Sequence, residues 1–110
     1  MESYGQKPRV YRTAMFKVPE PEKQEKLLEA LRVFARSQAR DGKPYILDIH
    51  AGLTKDETRA KGYTVVAQTL FANRDDMEYY DNECPAHANL KKVAAGLGLP
   101  ERPLIVYFEE

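Results

Sequence analysis

The feature that most constrains this chain is a strand-forming segment, residues 63–72, which has no clearly polar face. Successive side chains of a β-strand point to opposite sides of the sheet. One set of alternate positions comprises Tyr63, Val65, Ala67, Thr69 and Phe71. The other set comprises Thr64, Val66, Gln68 and Leu70. A strand with one solvated face alternates between apolar and polar residues, so we expect both faces of this strand to be covered.

The rest of the chain predicts three more strands and at least two helices. Strand-forming residues dominate segments 9–18, 45–51 and 104–108. Segment 21–40 is predicted to be a helix, because apolar residues recur at spacings of three and four, namely Leu27, Leu28, Leu31, Phe34 and Ala35. Alternation in the second strand places Ile46 on the same face as Asp48 and His50.

Local signals indicate where the helices begin and end. Pro21 suits the first turn of a helix, where its missing N–H does no harm, and Gly42 is the predicted C-cap. Asn73 with Asp76 three residues later resembles a capping box and predicts a short helix. Cys84, which is followed by a proline, is the predicted N-cap of the last helix.

The predicted order is β-α-β-β-α-β, with the second helix in two pieces, which is the ferredoxin-like α+β arrangement. Four strands in one antiparallel sheet with helices on one side leave the other side bare. Because the third strand indicates that this side is not polar, we expect a second copy of the chain to cover it. The predicted fold class is therefore a ferredoxin-like α+β domain that pairs with a second copy through the bare side of its sheet.

Composition narrows the classes of function and partner. The 17 basic and 17 acidic side chains cancel, so we expect no nucleic-acid partner. No apolar stretch approaches the roughly 20 residues that span a bilayer, so we expect no membrane partner. A single cysteine fits a reducing compartment and a cytoplasmic location. The 110 residues suit one domain, residues 8–110, after a flexible tail of residues 1–7.

Four motifs occur in order on matching predicted elements. They are Met15-Phe16-Lys17, the run from Lys61 to Phe71, the run from Tyr79 to His87 with its Pro-Ala-His, and the final Ile105-Val106-Tyr107-Phe108. Together they resemble the stress-responsive A/B barrel (Dabb) family from about residue 8 to residue 109. The resemblance implies a homodimer in which two four-stranded sheets form a barrel with the helices outside.

The chain is similar to the branch of that family that contains olivetolic acid cyclase, which closes linear polyketides with a tyrosine and a histidine. By position, Tyr80 and His87 match that pair. This chain carries one extra residue before Pro-Ala-His, and Val10 and Val65 stand where that branch has pocket histidines. The resemblance implies a cofactor-independent cyclase or lyase for a small apolar carbonyl compound.

Physical chemistry also makes His87 a candidate base. Counted from Cys84 as the N-cap, His87 falls in the first turn of a helix, where the helix dipole lowers the pKa of an imidazole. A neutral histidine can accept a proton next to a carbonyl, while the Tyr80 hydroxyl holds the developing oxyanion. The alternative is that His87 caps its helix or fills the layer beside the sheet, and that Tyr80 is a core residue.

Further candidates surround this pair. We expect the substrate to lie between sheet and helices, against Val10, Val65 and Phe71. We expect Tyr79 to contact the substrate as well, and it is the alternative to Tyr80 if the helix is rotated by one residue.

The remaining reactive side chains favour no other chemistry. Asp48 and His50 form either a dyad or a pair at the surface or an interface, and Cys84 is either a reactive thiol or a plain N-cap. The histidines and the cysteine lack zinc spacings, so we expect no metal and no cofactor. The alternative function is a non-catalytic stress-responsive protein or a binder of a small ligand, because a fold does not imply a function.

Overall fold

The computed structural model describes residues 7–110, so most of the expected tail, residues 1–6, lies outside the described residues. The strands are β1 (Val10–Phe16), β2 (Ile46–Leu53), β3 (Val65–Phe71) and β4 (Leu104–Glu109). The helices are α1 (Pro21–Ser37), α2 (Glu57–Ala60), α3 (Arg74–Asn82) and α4 (Pro85–Gly96). The predicted order is confirmed, and α2 is a single helical turn in the segment that connects β2 to β3.

The four strands form one antiparallel sheet in the order β2-β3-β1-β4. Helices α1, α3 and α4 pack on one face of this sheet. The fold is therefore the expected ferredoxin-like α+β arrangement.

The register of β1 and β3 decides which side chains face the helices. Four cross-strand pairs are buried on that side: Val10 with Phe71, Arg12 with Thr69, Ala14 with Ala67, and Phe16 with Val65. Opposite them lies the apolar stripe of α1, formed by Leu27, Leu28, Leu31 and Phe34. Arg12 is the one charged side chain in this row of β1 and β3.

Helix α1 ends earlier than predicted, and Gly42 is not its C-cap. The helix stops at Ser37, and the side-chain oxygen of Gln38 accepts hydrogen bonds from the backbone N–H groups of Tyr45 and Ile46, at 3.1 and 3.3 Å. Asp41 and Gly42 both have positive φ angles, 53° and 78°, in a tight turn. Glycine is favoured there because a two-residue turn of this kind needs positive φ at both central positions.

A β-bulge in β2 corrects the predicted faces of that strand. Ile46 pairs with Phe71 on the helix side, whereas Asp48 pairs with Leu70 on the opposite side, so Leu47 is the extra residue. Ile46 therefore does not share a face with Asp48, as uninterrupted alternation would require.

The second face of the sheet is uncovered within residues 7–110. We call it the open face. Through the strand register, it comprises Tyr11, Thr13 and Met15 of β1, Asp48, His50 and Gly52 of β2, Val66, Gln68 and Leu70 of β3, and Leu104, Val106 and Phe108 of β4. Val106 and Phe108 are 55% and 57% exposed. Exposed apolar side chains of this kind make the face a candidate interaction site.

Substitution of Asn73 by alanine should destabilise α3. The Asn73 side-chain oxygen accepts a hydrogen bond of 2.8 Å from the backbone N–H of Asp76, which confirms the predicted cap. Loss of such a cap costs about 1 kcal/mol in the free energy of unfolding, measured by urea denaturation. Asn89→Ala, at an exposed position within α4, is the matched control and should cost nothing. Equal stabilities for wild type and Asn73→Ala would contradict the capping role.

Candidate active site

A cavity of about 750 Å³ lies between the sheet and α4. Its wall is mainly apolar and includes Ala14, Phe16, Leu31, Ala67, Leu90 and Ile105. Tyr80, Asp81, His87 and Arg12 supply polar groups on the same wall. This combination of size, apolar lining and few polar groups is typical of a site for a small organic molecule.

His87 is held in one orientation and one protonation state. It occupies the third helical position of α4, as predicted, and is only 7% exposed. Its Nδ1 lies 2.8 Å from the backbone carbonyl oxygen of Tyr80. Because a carbonyl oxygen only accepts, Nδ1 carries the proton and donates it, and Nε2 of the neutral ring keeps its lone pair.

The electrostatics of the site keep His87 neutral. Burial lowers the pKa of His87 to about 4, the nearby charges of Lys91 and Arg12 act in the same direction, and the bond to Tyr80 opposes them. The direction agrees with the prediction from the sequence. The principal cause is burial of the ring.

Tyr80 lies directly against His87. The two rings stack with their centroids 3.7 Å apart and their planes 15° apart. Burial raises the pKa of Tyr80 to about 12, so its hydroxyl is protonated at neutral pH. The hydroxyl oxygen accepts a hydrogen bond of 3.4 Å from Nη1 of Arg12, which leaves the hydroxyl proton free to be donated.

Sequence reasoning missed Arg12 and Asp81. Arg12 lies in the buried row of β1, with its guanidinium carbon 4.8 Å from the Tyr80 ring centroid and Nη2 3.3 Å from an Asp81 carboxylate oxygen. The signal that could have found Arg12 is a charge at an alternate strand position whose neighbours, Val10 and Ala14, are apolar. A charged residue is rarely buried at such a position without a partner.

The sequence pattern described as the Stress responsive A/B Barrel Domain (Dabb) matches residues 10–101. The chain belongs to the Dabb family. A Fusaristatin A biosynthesis cluster protein from Gibberella zeae is 49% identical to this Dabb chain over 85 residues. The match covers 77% of this chain and 62% of that protein, so the Dabb chain spans less than two thirds of its relative's length.

Solved structures share the Dabb fold. A dimeric ferredoxin-like protein of unknown function from Thermobifida fusca has a TM-score of 0.75 at 18% identity, over 99% of this chain and 97% of that one. Hydroxynitrile lyase from Passiflora edulis has a TM-score of 0.70 at 12% identity, over 94% of each chain. SnoaB, a cofactor-independent oxygenase from Streptomyces nogalater, has a TM-score of 0.58 at 13% identity, over 94% and 91%. At these identities the likeness shows the fold alone.

Four further residues expected at the site lie outside the cavity wall of the Dabb domain. Val10, Val65 and Phe71 are fully buried in the core, where the ring centroid of Phe71 lies 5.2 Å from that of Tyr80. The hydroxyl of Tyr79 donates a hydrogen bond of 3.1 Å to the backbone carbonyl of Ala39. Phe71 therefore packs against Tyr80, while Tyr79 is directed away from the cavity.

The other reactive side chains of the Dabb domain are separate from His87. Asp48 and His50 form an exposed pair on the open face, with 3.0 Å between Oδ1 and Nε2. Cys84 is buried at the N-cap of α4 and makes no capping bond with its side chain. Within residues 7–110, no cluster of three or more His, Cys, Asp or Glu side chains could hold a metal ion. No helix in this range is both long and apolar enough to cross a membrane.

The His87 ring of the Dabb domain should titrate near pH 4 and not near its ordinary value of about 6.5. Ring signals followed by NMR between pH 7 and pH 3 measure the midpoint. His50→Gln removes the only other histidine and so assigns the His87 signal. A midpoint at or above about 6.5 would show that the ring is not desolvated.

The lowered pKa of His87 makes the stability of the fold depend on pH. Below pH 6.5 the unfolded chain binds a proton at His87 that the native state does not bind until the pH approaches 4, so stability falls as the pH falls through this window. The contribution between pH 7 and pH 5 is about 2 kcal/mol. Urea denaturation at pH 7 and at pH 5 measures this difference in the free energy of unfolding. His87→Gln should lose this part of the pH dependence.

Proposed function

We propose that this Dabb protein is a cofactor-independent cyclase or lyase that removes a proton next to a carbonyl group of a small apolar compound. The observation that carries the proposal is the stacked pair of His87 and Tyr80, 3.7 Å apart, on the wall of a 750 Å³ cavity. One side chain is a neutral acceptor and the other a protonated donor, which are the two groups that enolate formation needs.

The proposed reaction begins with proton transfer. Nε2 of His87 takes a proton from the carbon next to a carbonyl, and the Tyr80 hydroxyl donates a hydrogen bond to the developing oxyanion. In a cyclase, the enolate carbon attacks a second carbonyl of the same molecule. The new alkoxide then takes back the proton from His87, so the enzyme returns to its starting state.

The low basicity of His87 narrows the substrate. A base whose conjugate acid has a pKa of about 4 removes weakly acidic protons poorly. A methylene group between two carbonyls is much more acidic than one beside a single carbonyl. The site therefore suits a chain with carbonyls on alternate carbons, as in a linear polyketide.

The relative from Gibberella zeae supports this class of function, because its name places it in the biosynthesis cluster of fusaristatin A. The similarity of the Pro-Ala-His segment to the olivetolic acid cyclase branch supports a polyketide cyclase in particular. The buried free thiol of Cys84 fits the cytoplasmic location that we propose.

His87→Ala should lower turnover by about 10²–10⁴-fold, since it removes the base. Tyr80→Phe should lower it by about 10²-fold, since it removes one oxyanion donor. The test substrate is a linear methyl ester with oxo groups on alternate carbons, and chromatography of the cyclic product measures the rate. Tyr63→Phe, which removes a tyrosine hydroxyl away from both the cavity and the open face, is the matched control and should keep the wild-type rate.

Circular dichroism should show intact folding in both cavity variants. Wild-type turnover in folded His87→Ala would contradict the proposed base. If wild type binds the ester without converting it, the cavity is that of a binding protein, which is the alternative function.

We further propose that a second copy of the chain covers the open face. The apolar side chains of β4 exposed there, together with the stacking of Phe108 on Tyr11 at 5.1 Å, form a surface that a matching sheet can bury. The Thermobifida fusca protein of the same fold is dimeric, which supports this assembly.

Leu70→Lys should disrupt the dimer, because it places a charge within the proposed interface. Sedimentation equilibrium should give twice 12.6 kDa for wild type and a monomer for the variant. Val93→Lys, an exposed position on the helical side, is the matched control and should stay dimeric. A monomeric wild type at micromolar concentration would contradict the proposed assembly.

A further inference from the structure

Arg12 has more hydrogen-bonding capacity than its neighbours use. It lines the cavity although it is only 7% exposed. Its guanidinium carries five N–H donors, and the structure records two hydrogen bonds from it within residues 7–110. Both are long, at 3.4 Å to the Tyr80 hydroxyl and 3.3 Å to Asp81, against a usual range of about 2.7–3.2 Å. Burying a charge that is paired this weakly costs free energy, so a further hydrogen-bond acceptor would stabilise the Arg12 guanidinium.

The other charges on the cavity wall also favour an anion. Both acidic groups on the wall already form ion pairs. Asp81 pairs with Arg12, and Glu101 pairs with Lys17, which follows β1. Lys91 and Arg102 make no ion pair within residues 7–110. Positive charge therefore exceeds negative charge around a mainly apolar space.

We propose that Arg12 is the binding site for the carboxylate of an acidic ligand whose carbon chain lies along the apolar wall. The planar guanidinium matches a carboxylate with two parallel hydrogen bonds, which is why arginine is preferred for this group. The inference rests on the proposed function, and it specifies the substrate class as an oxo acid.

The position of Arg12 relates this site to the proposed chemistry. Its guanidinium carbon lies 4.8 Å from the Tyr80 ring centroid, and the Tyr80 ring stacks on His87. An acid bound at Arg12 therefore has its first carbons beside the proposed donor and base. Arg12 would orient the chain, so that the carbonyls nearest the carboxylate are the ones that react.

Calorimetry with two probes of nearly equal shape tests the proposal directly. Octanoate carries the carboxylate, and octanamide replaces it with an uncharged amide. Wild type should bind octanoate about 10- to 100-fold more tightly, as expected for hydrogen bonds between charged groups. Equal or weaker binding of octanoate would overturn the proposal.

Two substitutions should change this preference in opposite directions. Arg12→Met keeps much of the buried volume but removes the donors, so octanoate should bind no better than octanamide. Asp81→Asn removes a competing carboxylate from Arg12, so octanoate should bind more tightly while octanamide is unchanged. Arg36→Met, at an exposed position of α1, is the control and should keep the wild-type ratio.

If Arg12 has only a structural role, a different pattern of ligand binding is expected. If folded Arg12→Met keeps the wild-type preference for octanoate, Arg12 only ties β1 to α3 and the proposal is wrong. If Arg12→Met does not fold, two other measurements test the proposal. They are the ratio of octanoate to octanamide affinity in wild type and the increase in octanoate affinity in Asp81→Asn. A preference for octanoate in wild type with no gain in Asp81→Asn would then place the anion elsewhere and overturn the assignment.

The binding test is independent of catalysis. A preference for octanoate without turnover of either the methyl ester or the matching free oxo acid refutes the proposed enzyme and leaves the carboxylate site intact. Turnover of the ester without that preference refutes the carboxylate site alone.

Discussion

The hydrogen bond from His87 to the backbone carbonyl of Tyr80 joins the two pieces of the broken second helix, and the cavity chemistry depends on it. The bond spans 2.8 Å across the junction at Glu83 and Cys84, where α3 ends and α4 begins. It determines which imidazole nitrogen carries the proton, and it holds the ring against Tyr80. A single continuous helix would leave that carbonyl bonded within the helix. The break at Cys84 and its proline is therefore what makes a rigid donor and acceptor pair possible.

The sheet separates two surfaces with different roles, and β1 contributes to both. Arg12 lies on the helix side, beside the cavity, whereas its neighbour Tyr11 lies on the open face. Because adjacent strand residues point in opposite directions, cover on the open face would stabilise the strand that carries Arg12. In the proposed dimer, assembly on one side of the sheet thus supports binding on the other.

The candidate site contains buried polar side chains, whereas the rest of the core is mainly apolar. Arg12 and His87 are polar groups among buried apolar residues, and the pKa of His87 is lowered because its charged form is poorly solvated. Such groups cost stability, and a natural chain retains that cost mainly where function needs it. The two residues that conflict with local packing preferences are therefore the ones to which we assign proton transfer and anion binding.

The sequence by itself determined the features that depend on a few neighbouring residues. Alternation and helical spacing identified the strands and the main helices, Asn73 marked a helix start, and Pro-Ala-His after a tyrosine singled out His87 and Tyr80. Only the tertiary structure decided the bulge at Leu47, the turn at Gly42, the location of Val10, Val65 and Phe71 in the core, and the association of Arg12 with Tyr80. The reason is the separation along the chain over which each kind of interaction acts. Caps and periodicity act within one or two turns, whereas Arg12 and Tyr80 lie 68 residues apart and meet only because β1 and α3 pack together. Burial likewise depends on the whole fold, so the direction of the His87 pKa shift could be predicted while its main cause could not.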